Sequence, residues 1–161
     1  MTTPLPPISP EVGTEAPDFT LKDQNNQDVT LSSFRGKSAV LLVFYPFAFS
    51  PICQGELCSV RDDLSEFQNE KVQILAISVD HPYTLKAWAD AQGYKFPLLS
   101  DFWPHGELTK TYSVFNDTRG IAVRGTFLVD KEGIVRFSEV NQPSDARNLD
   151  GWMKAVSELA A

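Results

Sequence analysis

The sequence predicts an α/β domain built on a mixed sheet, and three observations carry that expectation. Ala39–Tyr45 is a continuously apolar run, as suits a strand covered on both faces, and Val72–Val79 reads as a second buried strand. The stretches after them, Pro51 to Asn69 and His81 to Gln92, repeat apolar residues at helical steps. Toward the C-terminus two strand patterns flank Asp130-Lys131-Glu132-Gly133, a turn that joins antiparallel neighbours and so makes the sheet mixed.

Taken in order, residues 1–10 hold four of the eleven prolines and read as a flexible arm before a single domain over 11–161. Phe19-Thr20-Leu21 and Val29-Thr30-Leu31 are short strands, and the polar stretch Lys22–Asp28 between them is a hairpin loop. Phe34-Arg35-Gly36-Lys37 is a turn before the first main strand. That strand and Val72–Val79 are joined by a helix, which requires them to be parallel with a right-handed crossover. In the second helix Leu85, Trp88 and Ala89 share a face, and Gly93 stands where a C-terminal cap belongs. Phe96–Leu99 is a short strand and Gly106–Tyr112 a short helix. Thr126–Val129 and Ile134–Val140 form the hairpin. Asp145–Leu159 closes the chain as a helix with Trp152, Val156 and Leu159 on one side. This order is that of a thioredoxin-like three-layer sandwich, with helices on both faces of the sheet and an N-terminal β-hairpin extension. There is no internal repeat.

Composition narrows the function. The 161 residues are 42% hydrophobic and 22% charged, ordinary for a globular protein. A net charge of −7 disfavours nucleic acid, which wants a basic face, and equally an anionic membrane surface. No apolar run approaches the roughly 20 residues of a membrane span. MTTPLPPISP has neither a basic nor an apolar signal-peptide region. Two cysteines five apart are not a secreted disulfide framework, so the expected compartment is the cytoplasm.

The chemistry concentrates at Tyr45-Pro46-Phe47-Ala48-Phe49-Ser50-Pro51-Ile52-Cys53, the predicted corner between strand and helix. A cysteine in the first turn of a helix meets unpaired N–H groups and the positive end of the dipole. Both favour the thiolate, which is the nucleophile. Leu57, Val60, Leu64 and Phe67 lie within roughly 40° of the Cys53 direction, at the head of the buried stripe. This setting suits a reactive thiol and also an inert core cysteine.

Its neighbours each have two readings. Pro46 either simply ends the strand or shields the sulfur from water. Ser50, with Pro51 after it, fits a helix N-cap, and its hydroxyl also suits contact with a substrate oxygen. Glu56 on the first turn suits the dipole. Arg124 opens a predicted buried strand, where a guanidinium is costly unless an anion meets it. The Cys53 thiolate with Glu56 is a natural partner set, and a solvent-exposed strand end is the other reading. In an intact helix the Cα atoms of Cys53 and Cys58 stand roughly 8.6 Å apart, too far for a disulfide unless the first turns unwind. His81 and His105 could join the cysteines around zinc, but the Cys-x4-Cys spacing points its ligands apart, so no metal is expected. There is no phosphate-binding glycine pattern, so no cofactor is expected either, and no Cys-x-x-Cys.

Together these residues resemble a peroxiredoxin. The family pattern Pro-x-x-x-Thr/Ser-x-x-Cys falls on Pro46, Ser50 and Cys53, and the family's distant arginine on Arg124. Ile52-Cys53-Gln54-Gly55-Glu56-Leu57, the stretch Phe96 to Gly106 and Arg124-Gly125-Thr126-Phe127 resemble the AhpE-like branch, originally described as one-cysteine. Cys58 departs from that label and is similar to the resolving cysteine of the bacterioferritin-comigratory (Q-type) branch. The resemblance implies a thiol-dependent peroxidase with Cys53 as the peroxidatic thiol, acting on hydrogen peroxide, organic hydroperoxides and peroxynitrite. It implies resolution by Cys58 or by a low-molecular-weight thiol, with thioredoxin or mycoredoxin as reductant, and a homodimer with its interface near the active-site loop. From the residues alone two other classes stand beside it: a non-catalytic thioredoxin-like binding or redox-sensing module, and a protein thiol–disulfide oxidoreductase.

Overall fold

Alternation along the first main strand decides where the two outer layers go. Side chains of a strand point to opposite faces in turn, so an unbroken apolar run needs cover on both sides. In the computed structural model, which describes residues 10–51, 57, 58, 60, 62, 72–141 and 149–160, this cover is present. Leu41, Val43 and Tyr45 face one core with Leu57, Val60, Trp88, Trp152 and Val156. Val40, Leu42 and Phe44 face a second core with Leu108, Tyr112, Val114 and Phe127.

The elements in chain order are β1 (Thr20–Lys22), β2 (Asp28–Thr30), a 3-10 turn (Leu31–Phe34), β3 (Ala39–Phe44), β4 (Val72–Ser78), α1 (Pro82–Gln92), β5 (Leu98–Ser100), α2 (Glu107–Thr111), β6 (Phe115–Asn116), β7 (Ile121–Ala122), β8 (Arg124–Val129), β9 (Val135–Asn141) and α3 (Leu149–Ala160). Among the described residues the main sheet runs β2-β1-β5-β4-β3-β8-β9. β3, β4 and β5 are parallel neighbours, while β8 lies antiparallel to β3 and β9 antiparallel to β8. The expected thioredoxin-like sandwich is therefore present. The N-terminal hairpin pairs Thr20 with Thr30 and joins the sheet where Lys22 meets Ser100.

Local chemistry fixes the element ends. His81 caps α1, its Nδ1 accepting the Tyr83 N–H at 3.1 Å, and Pro82 follows where its missing N–H costs nothing. Gly93 ends α1 at φ 72°, a left-handed conformation open to glycine without a Cβ penalty. Asp130 builds the β8–β9 turn, its carboxylate accepting the N–H groups of Glu132 and Ile134 and the Arg136 Nε.

Three boundaries differ from the sequence reading. The strand expected over Phe96–Leu99 begins at Leu98, because Pro97 has no N–H for a ladder. The last hairpin starts earlier, at Arg124 rather than Thr126. The small β6–β7 pair was not anticipated, since two-residue strands are too short to show a period. Of the first helix, the structure describes Pro51, Leu57, Cys58, Val60 and Asp62, all helical. The remainder of that helix, residues 1–9 of the arm and 145–148 of the closing helix lie outside the described residues. Because β3, β4 and β5 are parallel, their C-terminal ends gather at one end of the sheet, and antiparallel β8 begins there with Arg124.

Candidate active site

Clefts in α/β proteins form beyond the C-terminal ends of parallel strands, and Pro46, Ser50 and Arg124 lie at that end. The chain leaves β3 at Phe44 and runs through Tyr45 and Pro46, both buried, to Ser50, which is half-buried. Pro51 is helical and Ser50 immediately precedes it, as the helix-start reading required. Tyr45 donates its N–H to the Ile77 carbonyl at 3.0 Å, extending the β3–β4 pairing by one step. Phe49 sits at φ 68°, a left-handed conformation costing a non-glycine residue about 1–3 kcal/mol. Such strain persists only where the surroundings enforce it. Here the Ala48 N–H is held by the Asp80 carboxylate at 2.7 Å, and the Phe49 ring lies 6.1 Å from that of Trp88.

Arg124 is 1% exposed. The solvent-exposed strand-end reading is thereby set aside. Gly125 pairs with Phe44, so Arg124 stands one step beyond, beside the exit of β3. Alternation puts Arg124 on the same face as Leu128, in the core that includes Leu57 and Val60. The opposite face carries Phe127 and Phe44, whose rings meet edge-on. Arg124 thus opens onto the face where the helical residues after Cys53 pack, at the end where Pro46 and Ser50 lie. Cys53 and Glu56 themselves lie outside the described residues.

Cys58 is a free, half-buried thiol in a helical stretch. Its Sγ donates to Gln92 Oε1 at 3.5 Å and lies 3.5 Å from the Tyr94 hydroxyl. Those partners sit at the C-terminal end of α1, about 15 Å along its axis from Pro82. Pro82 begins at the end of the sheet occupied by Pro46 and Ser50, so the Cys58 thiol is engaged near the end of α1 remote from that loop. The histidines serve local structure. His81 caps α1, and His105 Nε2 lies 2.7 Å from the Gly120 carbonyl.

Two polar groups at this end went unnoticed in the sequence. Asp80 is one. The other is Asp101, which accepts the N–H groups of Leu108 and Thr109 and the Thr109 hydroxyl. Burial pushes the Asp101 carboxyl above its ordinary range against the pull of those hydrogen bonds. An aspartate just after a buried strand, before a turn, was the available signal for both.

Comparison with known proteins shows the family. The pattern of the AhpC/TSA family matches residues 12–138. The chain is 56% identical over 150 residues to alkyl hydroperoxide reductase E of Mycobacterium tuberculosis, covering 93% of this chain and 98% of that protein. Its fold matches the reduced 2-Cys peroxiredoxin of Plasmodium vivax with a TM-score of 0.82 at 34% identity, over 91% of this chain and 80% of that one. It matches AhpC of Enterococcus faecalis with a TM-score of 0.84 at 27% identity, over 91% of this chain and 90% of that one. The chain therefore belongs to the AhpC/TSA family and is a peroxiredoxin, a thiol-dependent peroxidase.

Proposed function

We propose that this peroxiredoxin reduces hydrogen peroxide and organic hydroperoxides through Cys53, with Arg124, Ser50 and Pro46 completing the site. The observation that carries the assignment is Arg124, buried at the opening of β8 beside the exit of β3. A guanidinium there costs several kcal/mol unless its surroundings are anionic or strongly polar, which suits a thiolate and a peroxide. The Cys53 thiolate attacks the terminal peroxide oxygen. An S–O bond forms as the O–O bond breaks, and the alkoxide leaves and takes a proton. The products are a Cys53 sulfenic acid and an alcohol, or water from hydrogen peroxide. Negative charge passes from sulfur to oxygen along this path. Donors on Arg124, Ser50 and the Cys53 N–H tighten as it moves, which is how they lower the barrier. In this reading Pro46 keeps water from the sulfur, and Glu56 is the further anion that the sequence offers as a partner for Arg124.

Cys58 then attacks the sulfenic acid, releasing water and leaving a Cys53–Cys58 disulfide. For this the Cys58 thiol must give up Gln92 and Tyr94 and turn toward the other end of α1. A dithiol protein of the thioredoxin or mycoredoxin type reopens the bridge by exchange. A low-molecular-weight thiol that caps the sulfenic acid is the second route, favoured by the present orientation of Cys58. Mass spectrometry after one equivalent of peroxide separates them. Loss of two hydrogens with no adduct is the expected result. A lasting sulfenic or sulfinic acid at Cys53 with Cys58 still free would remove Cys58 from the cycle.

A homodimer in the cytoplasm completes the reading. Phe47, Phe49, Tyr83, Phe102 and Trp103 are all at least 40% exposed. The His81 ring lies within 5.1 Å of the Tyr83 and Phe102 rings, so these two exposed aromatics form one cluster around it, next in sequence to the exposed Trp103. Sedimentation velocity should find a dimer for the wild type and a shift toward monomer for Trp103→Glu. An unchanged dimer would place the interface elsewhere.

A further inference from the structure

The loop before Cys53 is anchored by a polar clamp at the ends of two sheet strands. Asp80 Oδ2 accepts the Ala48 N–H and the Ser78 hydroxyl, both at 2.7 Å. Asp80 is itself fixed on two sides: its N–H donates to Ser78 Oγ at 3.3 Å, and its carbonyl accepts the Ser100 hydroxyl at 2.5 Å. Ser78 and Ser100 are buried at the C-terminal ends of β4 and β5, so the clamp is part of the rigid sheet. Ala48 stands midway between Pro46 and Ser50. The next residue, Phe49, holds the left-handed conformation that a free loop would relax.

We propose that Asp80 is a positioning residue for peroxide reduction: by fixing the Ala48 N–H it sets the Pro46–Ser50 stretch, and with it the approach to Cys53. This rests on Cys53 being the attacking thiol. The contribution lies in the hydrogen bonds and not in the charge, since a carboxylate close to a developing anion opposes it. An asparagine amide oxygen accepts the same two bonds. The conservative variant therefore rescues.

The test compares Asp80→Ala, Asp80→Asn and Ser78→Ala in the full-length protein. The second-order rate with hydrogen peroxide should fall roughly ten- to hundredfold in Asp80→Ala, the scale of a misplaced reacting group, and by less than about threefold in Asp80→Asn. Iodoacetamide alkylation of Cys53, followed by peptide mass spectrometry, needs no aligned O–O bond. It should change by less than about threefold in both variants, whereas general loosening of the fold would speed it. A wild-type peroxide rate in Asp80→Ala, or an equal loss in both Asp80 variants, overturns the proposal. If Asp80→Ala does not fold, Ser78→Ala carries the test: a slower peroxide rate supports the clamp and a wild-type rate overturns it. Inactivity of Cys53→Ser in the same assay keeps the underlying thiol assignment separate from either outcome.

Discussion

Replacing Cys53 by serine should abolish peroxide reduction, leaving no more than the background of the assay. A serine hydroxyl lacks both the thiolate population and the polarisable sulfur that attacks oxygen, and nothing else in the scheme supplies a nucleophile. Cys58→Ser should behave differently. Its thiol is half-buried and engaged with Gln92 and Tyr94, away from the Pro46–Ser50 loop. The first peroxide equivalent should therefore be consumed at the wild-type rate, with turnover failing only when no external thiol can take over. Stopped-flow peroxide consumption at a single equivalent, then under turnover, reads the two steps apart. Equal loss of the first step in both variants would mean that the two sulfurs do not have separate roles. Activity retained in Cys53→Ser would contradict the assignment.

Arg124→Ala carries the second large effect. Removing one donor aimed at developing negative charge typically costs about 3–4 kcal/mol, or a hundred- to thousandfold in rate. Arg124 is buried, so truncation also leaves a cavity and lowers stability, and Arg124→Lys serves as the control. Lysine keeps the charge and most of the volume but loses the planar fork of donors. It should fold as the wild type does and recover only part of the rate. A lysine variant at full activity would reduce the role of Arg124 to charge alone.

Much of this fold was legible because its signals are local and redundant. Ala39–Tyr45 could only be a strand covered twice, and both covers are present. His81, Pro82 and Gly93 bracket α1 by their own backbone chemistry, and Trp88 with Leu85 marks its inner face. The β8–β9 hairpin announced itself through Asp130 to Gly133. What escaped notice is set by distant partners. Asp80 reads as an ordinary residue after a strand, and only the return of the chain at Ala48, 32 positions earlier, gives it a task. β6 and β7 are held by pairing with each other and by no pattern of their own. Arg124 was legible only in part: a cation in a buried strand has a large cost that something must offset, but the sequence also allowed an exposed strand end, and its burial came from the structure. The direction of the Cys58 thiol was beyond the sequence, since helix geometry gives its spacing from Cys53 and not the contacts with Gln92 and Tyr94.

The most direct measurement is the peroxide rate constant as a function of pH, followed by the fluorescence of Trp88, Trp103 and Trp152, for wild type and Arg124→Ala side by side. The wild-type rate should rise through one ionisation below the free-thiol value of about 8.5 and level off. The Arg124→Ala curve should run below it everywhere, including the alkaline plateau where each thiol is already ionised. A gap on the plateau can come only from the reacting complex, because thiolate population no longer differs. Curves that merge at high pH would contradict the account, reducing the arginine to a means of ionising the sulfur.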